Sequence, residues 1–282
     1  MHRTASGQLR GLGHPIDFII CRMSTAPDFS VVTELAGDLA SQEQVQRAYR
    51  RYYWAGRYAA GADVLEVACG AGQGVGHLAS LAKSFHAGDI SDEVLKAARE
   101  HYGPRIDFRR FNAEDLPYPD RSFDVVLIFE AIYYLRDVSK FIQEARRVLR
   151  AGGFLLIVTA NKDLFDFSPS PYSVEYYGVR ELRSLLNHEG FAASFFGDSP
   201  LASISGWQRL LRPAKRLATT LGVMPQSKRM KALVKRIVFG PAQSLPAEIA
   251  AGVDAGPAPA PIPADHPDTR HKVIFCEARR GA

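Results

Sequence analysis

Glu66 ends a short apolar run, and four glycines follow on alternate positions: Gly70, Gly72, Gly74 and Gly76. A carboxylate at the end of a strand, followed by a turn nearly free of side chains, suits a ligand that must lie against bare backbone. Asp89, about 20 residues further on, ends a second apolar run, where a carboxylate can accept hydrogen bonds from a ribose diol. No Gly-Lys-Ser/Thr follows the glycines, so the loop is not of the P-loop kind. Spacing alone leaves a dinucleotide open. Glu66 argues against it, because a fixed carboxylate repels a diphosphate at close range and suits a ligand carrying an ammonium group.

S-adenosylmethionine carries that ammonium group, with a ribose diol for Asp89 and a carboxylate able to meet helix N–H groups. It is therefore the expected cofactor. The three cysteines, Cys21, Cys69 and Cys276, have neither disulfide nor metal-ligand spacing, so no metal is expected.

The elements that must hold these residues follow from the hydrophobic pattern. Ser41 and Gln44 have capping-box spacing and open a helix with an apolar and aromatic stripe of Val45, Ala48, Tyr49, Tyr52 and Tyr53. Strands are predicted over 64–67, 84–87, 106–111, 123–129 and 154–159, alternating with helices over 74–83, 91–101 and 138–149. Such alternation implies a parallel sheet covered on both faces, with ligands at the carboxyl ends of its strands. Glu66, Asp89, Asn112, Phe129 and Asn161 then share one rim. A helix over 178–188 and strands over 191–196 and 271–278 complete the pattern.

Four ordered blocks carry a family resemblance. EVACGAG (66–72), GDIS (88–91), FNAEDLPYPDRSFDVV (111–126) and RRVLRAGGFLLIV (146–158) together resemble class I S-adenosylmethionine-dependent methyltransferases. Ala68 stands where the signature has its first glycine, and Ala151 where the family usually has proline. The resemblance implies a Rossmann-like, doubly wound α/β fold with a mostly parallel seven-stranded sheet. Its last strand, 271–278, would pair antiparallel with 191–196 beside the fifth strand. Carried over residue by residue, Glu66, Ala68, Cys69, Gly70 and Gly72 line the methionine part, and Asp89 takes the ribose. Ile90 packs on adenine, Asn112 and the Ala113 amide read its edge, and Phe129 and Glu130 flank the sulfonium. NKDLFDFSPSPYSVEYYGV (161–179) resembles an uncharacterised bacterial branch of the family, met near genes for surface polysaccharides.

Methyl transfer to oxygen benefits from a base within hydrogen-bond reach. Tyr133, Tyr134, Asp163 and Asp166 are the candidates at the rim, with Lys162 as an orienting cation. The expected acceptor is a small molecule or a lipid-linked glycan. The rival reading is a non-catalytic nucleotide-binding regulator.

Residues 1–40 read as an irregular arm, with Met23 a second candidate start and 1–22 expected to lack packed contacts. The methyltransferase core spans 41–198, the insertion 199–270 and the final strand and tail 271–282. The formal charge of +5 is uneven: nine cations and no acid lie between Asp198 and Glu248, and subtracting them leaves −4 for the rest. In KRMKALVKRIVF (228–239) the apolar residues fall on one helical face. Residues 206–239 are therefore expected either to dock on the sheet domain or to touch an anionic membrane surface. Nucleic acid ranks last, because Trp207 and Phe239 are the only aromatics there. Seven prolines within 241–267 predict an extended, poorly packed connector. The insertion is expected to leave its strand at the end opposite the rim and to fold back. No apolar run spans a bilayer and no signal-peptide core is present, so the expected location is the cytoplasm, with peripheral contact at the inner membrane face.

Overall fold

The computed structural model describes residues 29, 32–201, 243–250 and 252–282. Ser41 caps the first helix, α1 (Gln42–Ala59): its hydroxyl accepts from the Gln44 amide while the Gln44 side chain accepts from the Ser41 amide. A two-residue strand, β1 (Leu39–Ala40), precedes it. The alternating region follows as β2 (Asp63–Val67), α2 (Val75–Leu81), β3 (Ser84–Asp89), α3 (Asp92–Tyr102), β4 (Phe108–Arg110), β5 (Phe123–Phe129), α4 (Val138–Val148) and β6 (Leu149–Ala160). Then come α5 (Val179–His188), β7 (Phe191–Pro200), β8 (Gln243–Ser244), β9 (Ala260–Ile262) and β10 (His271–Arg280).

Eight strands form one sheet in the order β4-β3-β2-β5-β6-β10-β7-β9. Pairings from β4 through β6 are parallel, and β10 runs antiparallel to both β6 and β7. The period-2 alternation of each strand sorts its side chains between two cores. Leu65, Val126, Ile128, Leu155, Ile157 and Ile274 pack with α4 and α5 on one face. Val64, Val125, Leu127, Leu156, Val158 and Phe275 lie under α1 on the other. Trp54 of α1 meets Phe275 edge to face at 5.2 Å, fixing the helix across the late strands.

The expected pairing of the last two long strands is present, with Phe275 opposite Phe196 and Val273 opposite Asp198. Among the described residues the sheet has eight strands, not seven. The extra strand, β9, comes from the Pro-rich stretch and pairs with β7 at the sheet edge, where the missing N–H groups of proline are tolerated. That stretch is also better packed than its composition predicts: Leu245, Ile249 and Ile262 are buried, and β8 pairs with β1.

The exit of the insertion is a second correction. Because β10 is antiparallel to both neighbours, β7 runs parallel to β6, and Val273 faces Ala160 on one side and Asp198 on the other. Chain therefore leaves β7 on the rim side of the sheet, and no folding back is needed. The expected helix at 228–239 and the expectation for residues 1–22 lie outside the described residues.

Candidate functional site

A cavity of about 920 Å³ opens at the carboxyl ends of β2, β3, β5 and β6. Its floor is the glycine turn. Ala68, Gly70 and Gly72 all adopt left-handed backbone, with φ of 55°, 58° and 77°, a region that penalises a side chain. Ala68 thus holds the strained conformation that the usual glycine would occupy without cost. The Gly70 amide donates to Asp89 Oδ2 at 3.1 Å and the Ser91 amide to Oδ1 at 3.0 Å. Burial raises the Asp89 pKa, and these amide bonds oppose it.

Of the residues assigned to the cofactor from sequence, Ala68, Cys69, Gly70, Asp89, Ile90, Asn112, Ala113, Phe129 and Glu130 line the cavity. Ile90 is an apolar plate, 47% exposed, beside Asp89. Asn112 Oδ1 accepts from the Glu114 amide at 3.0 Å, an Asx turn that shapes the wall. Cys69 is buried among Val75, Ala87 and Phe108, and burial pushes its thiol well up.

Glu66 and Gly72 lie behind the wall. Gly72 is a packing glycine whose carbonyl accepts from Tyr102 at 2.7 Å, and a Cβ there would press on Phe108 and Tyr102 at 3.2 Å. Glu66 is 1% exposed; Tyr52 donates to its Oε1 at 2.7 Å, and its Oε2 has no partner among the described residues. Burial drives its pKa up to about 7, against the Tyr52 hydrogen bond and the Arg51 charge.

Tyr133 and Tyr134 line the opposite side of the cavity. Tyr133 stacks on Tyr176 at 4.3 Å and donates to Glu130 Oε2 at 3.2 Å, while Tyr134 shares a 2.7 Å hydrogen bond with Ser170. Asp163 and Asp166 are not part of the wall. Lys162 is occupied by Asp163 at 3.2 Å and Glu181 at 2.8 Å, in a salt-bridge cluster at the start of α5. Asn161, expected on the rim, is buried and bonded to Asp268 and the His271 carbonyl, where it ties β6 to the approach of β10.

Several wall residues escaped the sequence reading. Phe29, Thr33 and Glu34 come from the supposed arm, and Thr33 Cγ2 approaches within 3.3 Å of where a Gly70 Cβ would stand. Arg47 and Arg51 sit one turn apart on α1, on the side that faces the cavity. Their spacing beside Tyr52 was the available signal. Tyr172 and Val174, exposed at 49% and 58%, finish the mouth.

The chemistry of this wall fits S-adenosylmethionine: bare backbone at Gly70, an acid held by backbone amides at Asp89 and an apolar plate at Ile90. The comparisons agree. Residues 65–157 match the methyltransferase domain family. A probable S-adenosylmethionine-dependent methyltransferase of Mycolicibacterium smegmatis is 38% identical over 136 residues, covering 47% of this chain and 52% of the relative. A phthiotriol/phenolphthiotriol dimycocerosates methyltransferase of Mycobacterium ulcerans is 44% identical over 99 residues, covering 34% of this chain and 36% of the relative. The chain thus spans between about a third and a half of the length of these curated relatives. Among solved structures, a SAM-dependent methyltransferase from Archaeoglobus fulgidus superposes with a TM-score of 0.53 at 16% identity, covering 86% and 95% of the two chains. The YcgJ protein of Bacillus subtilis gives 0.51 at 18%, covering 83% and 99%; at these identities both support the fold alone. Glycine turn, second-strand acid, sheet order and sequence relatives converge on one statement: residues 65–157 carry a methyltransferase domain of the class I S-adenosylmethionine-dependent kind.

Proposed function

We propose that this chain transfers a methyl group from S-adenosylmethionine to an oxygen of a small-molecule or lipid-linked acceptor, a glycan among the candidates. The observation that carries the reading is the Gly70–Asp89 contact at 3.1 Å, which joins the glycine turn and the second-strand acid into one wall facing Tyr133 and Tyr134. When bound, the cofactor supplies an electrophilic methyl and its own leaving group.

In this reading Asp89 holds the ribose hydroxyls, Ile90 packs on adenine, and Asn112 with the Ala113 amide meets the adenine edge. Ala68, Cys69 and Gly70 cradle the methionine part, while Phe129 and Glu130 face the reacting carbon. Glu66 acts from behind the turn, as a buried negative charge under a cationic ligand. Tyr133 and Tyr134 line the acceptor side and exclude water there, so alignment supplies part of the rate.

An acceptor with an apolar portion is favoured by the mouth, where Tyr172 and Val174 are exposed on the cavity wall. The relative from Mycobacterium ulcerans is named for an acceptor of lipid type. No helix among the described residues is long and apolar enough to cross a membrane. Contact with a lipid surface is therefore assigned in this reading to the basic segment 206–239.

The test is incubation of the purified chain with labelled S-adenosylmethionine and fractionated cell-envelope glycans and lipids. Label in an alkali-stable ether within one fraction supports the reading. Tight cofactor binding with no labelled product in any fraction favours the non-catalytic regulator instead.

A further inference from the structure

We propose that Glu130 is the general base of the reaction, taking the proton of an acceptor hydroxyl as its oxygen bonds to the methyl carbon, with Tyr133 as the positioning residue that aims the carboxyl. This rests on the methyltransferase reading above. Glu130 follows directly on Phe129 at the end of β5, in left-handed backbone with φ 53°, a conformation uncommon for a residue with a side chain. Its amide is tied to the Val158 carbonyl at 2.8 Å, so the neighbouring strand holds the unusual turn in place. Strained non-glycine backbone at the mouth of a cavity is a mark of function.

The consequence is where the side chain goes. It lines the cavity between the half built by Gly70, Asp89 and Ile90 and the half built by Tyr133, Tyr134 and Ser170. Its one side-chain hydrogen bond among the described residues comes from the Tyr133 phenol, to Oε2. Tyr133 is fixed in turn by stacking on Tyr176 and by its carbonyl, which accepts from the Val174 amide at 2.8 Å. One carboxyl oxygen is oriented and the other is left for a ligand.

The groups around Glu130 come from every neighbouring element. Arg47 and Arg51 of α1 favour its charge, whereas burial and Glu34 oppose it, burial being the largest influence; the net effect raises its pKa. Tyr133, Tyr134 and Tyr176 are all phenols kept protonated by burial. Among Glu130, Tyr133 and Tyr134 the carboxyl is thus the group able to accept a proton.

The step balances. A lone pair of the acceptor oxygen forms the new bond to carbon, the carbon–sulfur bond breaks with its electron pair passing to sulfur, and the hydroxyl proton goes to Glu130. The sulfonium charge and the carboxylate charge disappear together.

That coupling gives a test needing no acceptor. S-adenosylmethionine and S-adenosylhomocysteine are titrated by calorimetry at a series of pH values from about 5 to about 8, in buffers of different ionisation enthalpy. The sulfonium ligand should release more protons than the neutral thioether, because it holds Glu130 ionised. Glu130→Gln should abolish that difference and cut the preference for S-adenosylmethionine by about tenfold, the effect of one nearby charge at short range. Methyl transfer to the labelled envelope fraction should fall at least about 100-fold in Glu130→Gln, with S-adenosylhomocysteine affinity held within about threefold.

Equal proton release by the two ligands at every pH of the series in the wild-type chain overturns the proposal, and this measurement stands even if the variant fails to fold. A Glu130→Gln variant that keeps the difference, keeps its turnover or loses S-adenosylhomocysteine affinity also overturns it. Failure of the wild-type chain to bind either ligand refutes the methyltransferase reading itself, a distinct result.

Discussion

Tyr52 donates to Glu66 at 2.7 Å beneath the glycine turn and leaves the second carboxyl oxygen without a partner among the described residues. Helix α1 and strand β2 are thereby joined through a buried acid whose pKa is pushed up to about 7. A carboxyl with its folded pKa above its unfolded value stabilises the fold below the unfolded pKa and loses that contribution as pH rises through the folded one. Wild-type stability should therefore decline, relative to Glu66→Gln, between about pH 4.5 and about pH 7, by up to about 3 kcal/mol. Denaturant unfolding of both proteins across that range checks it, and parallel curves refute it.

Removing the partner should cost more than removing the acid. In Tyr52→Phe the carboxyl keeps its burial and loses its donor, a loss of about 1–3 kcal/mol. The double variant Tyr52→Phe/Glu66→Gln should recover part of it. A purely additive pair would show that the two side chains do not interact.

Asp89→Ala should weaken S-adenosylmethionine binding by roughly 1.5–3 kcal/mol, the range for hydrogen bonds to a charged group. The same change frees the Gly70 and Ser91 amides, so amide hydrogen exchange should quicken at both positions. Calorimetry showing unchanged affinity would remove Asp89 from the site.

Ala68 provides a gain-of-stability test. Its φ of 55° costs roughly 1–2 kcal/mol for an L-residue, and glycine returns part of that to unfolded-chain entropy. Ala68→Gly should raise the unfolding free energy by about 0.5–1 kcal/mol, with cofactor affinity unchanged or slightly improved.

The basic stretch 206–239 should bring the full chain down with vesicles containing anionic lipid and leave it free with zwitterionic ones. Binding should weaken in high salt, since each cation contributes about 1 kcal/mol near such a surface. Equal recovery with both vesicle types would confine the segment to a role within the protein.

How much of this was legible in sequence depended on whether the signal was local. Strands buried on both faces read as nearly continuous apolar runs, as 125–129 of β5 and 154–158 of β6 do. Ser41 and Asp89 announced themselves through a cap and a strand end. Glu248 did not: from within the insertion it meets His101 at 3.0 Å and Arg105 at 3.2 Å. Its backbone neighbourhood is tied through the Ile249 amide to the Gln73 carbonyl. Proline content hid β9 because composition reports lost donors and says nothing of an edge that needs none. Asn161 was misplaced for a related reason. A strand-end position gives the height of a side chain on the sheet, while its direction depends on Asp268, over 100 residues away.

The position of β10 between β6 and β7 sets an order for synthesis. Both flanking strands leave the ribosome well before it does, and the chain from β7 to β10 spans residues 201–270. At about 5–20 residues per second this takes several seconds. Throughout that interval β6 presents an unpaired apolar edge and β7 has no sheet to join, the state most prone to aggregation. The nascent chain therefore completes its sheet late, when β10 pairs with the open edge of β6 and brings β7 in beside it.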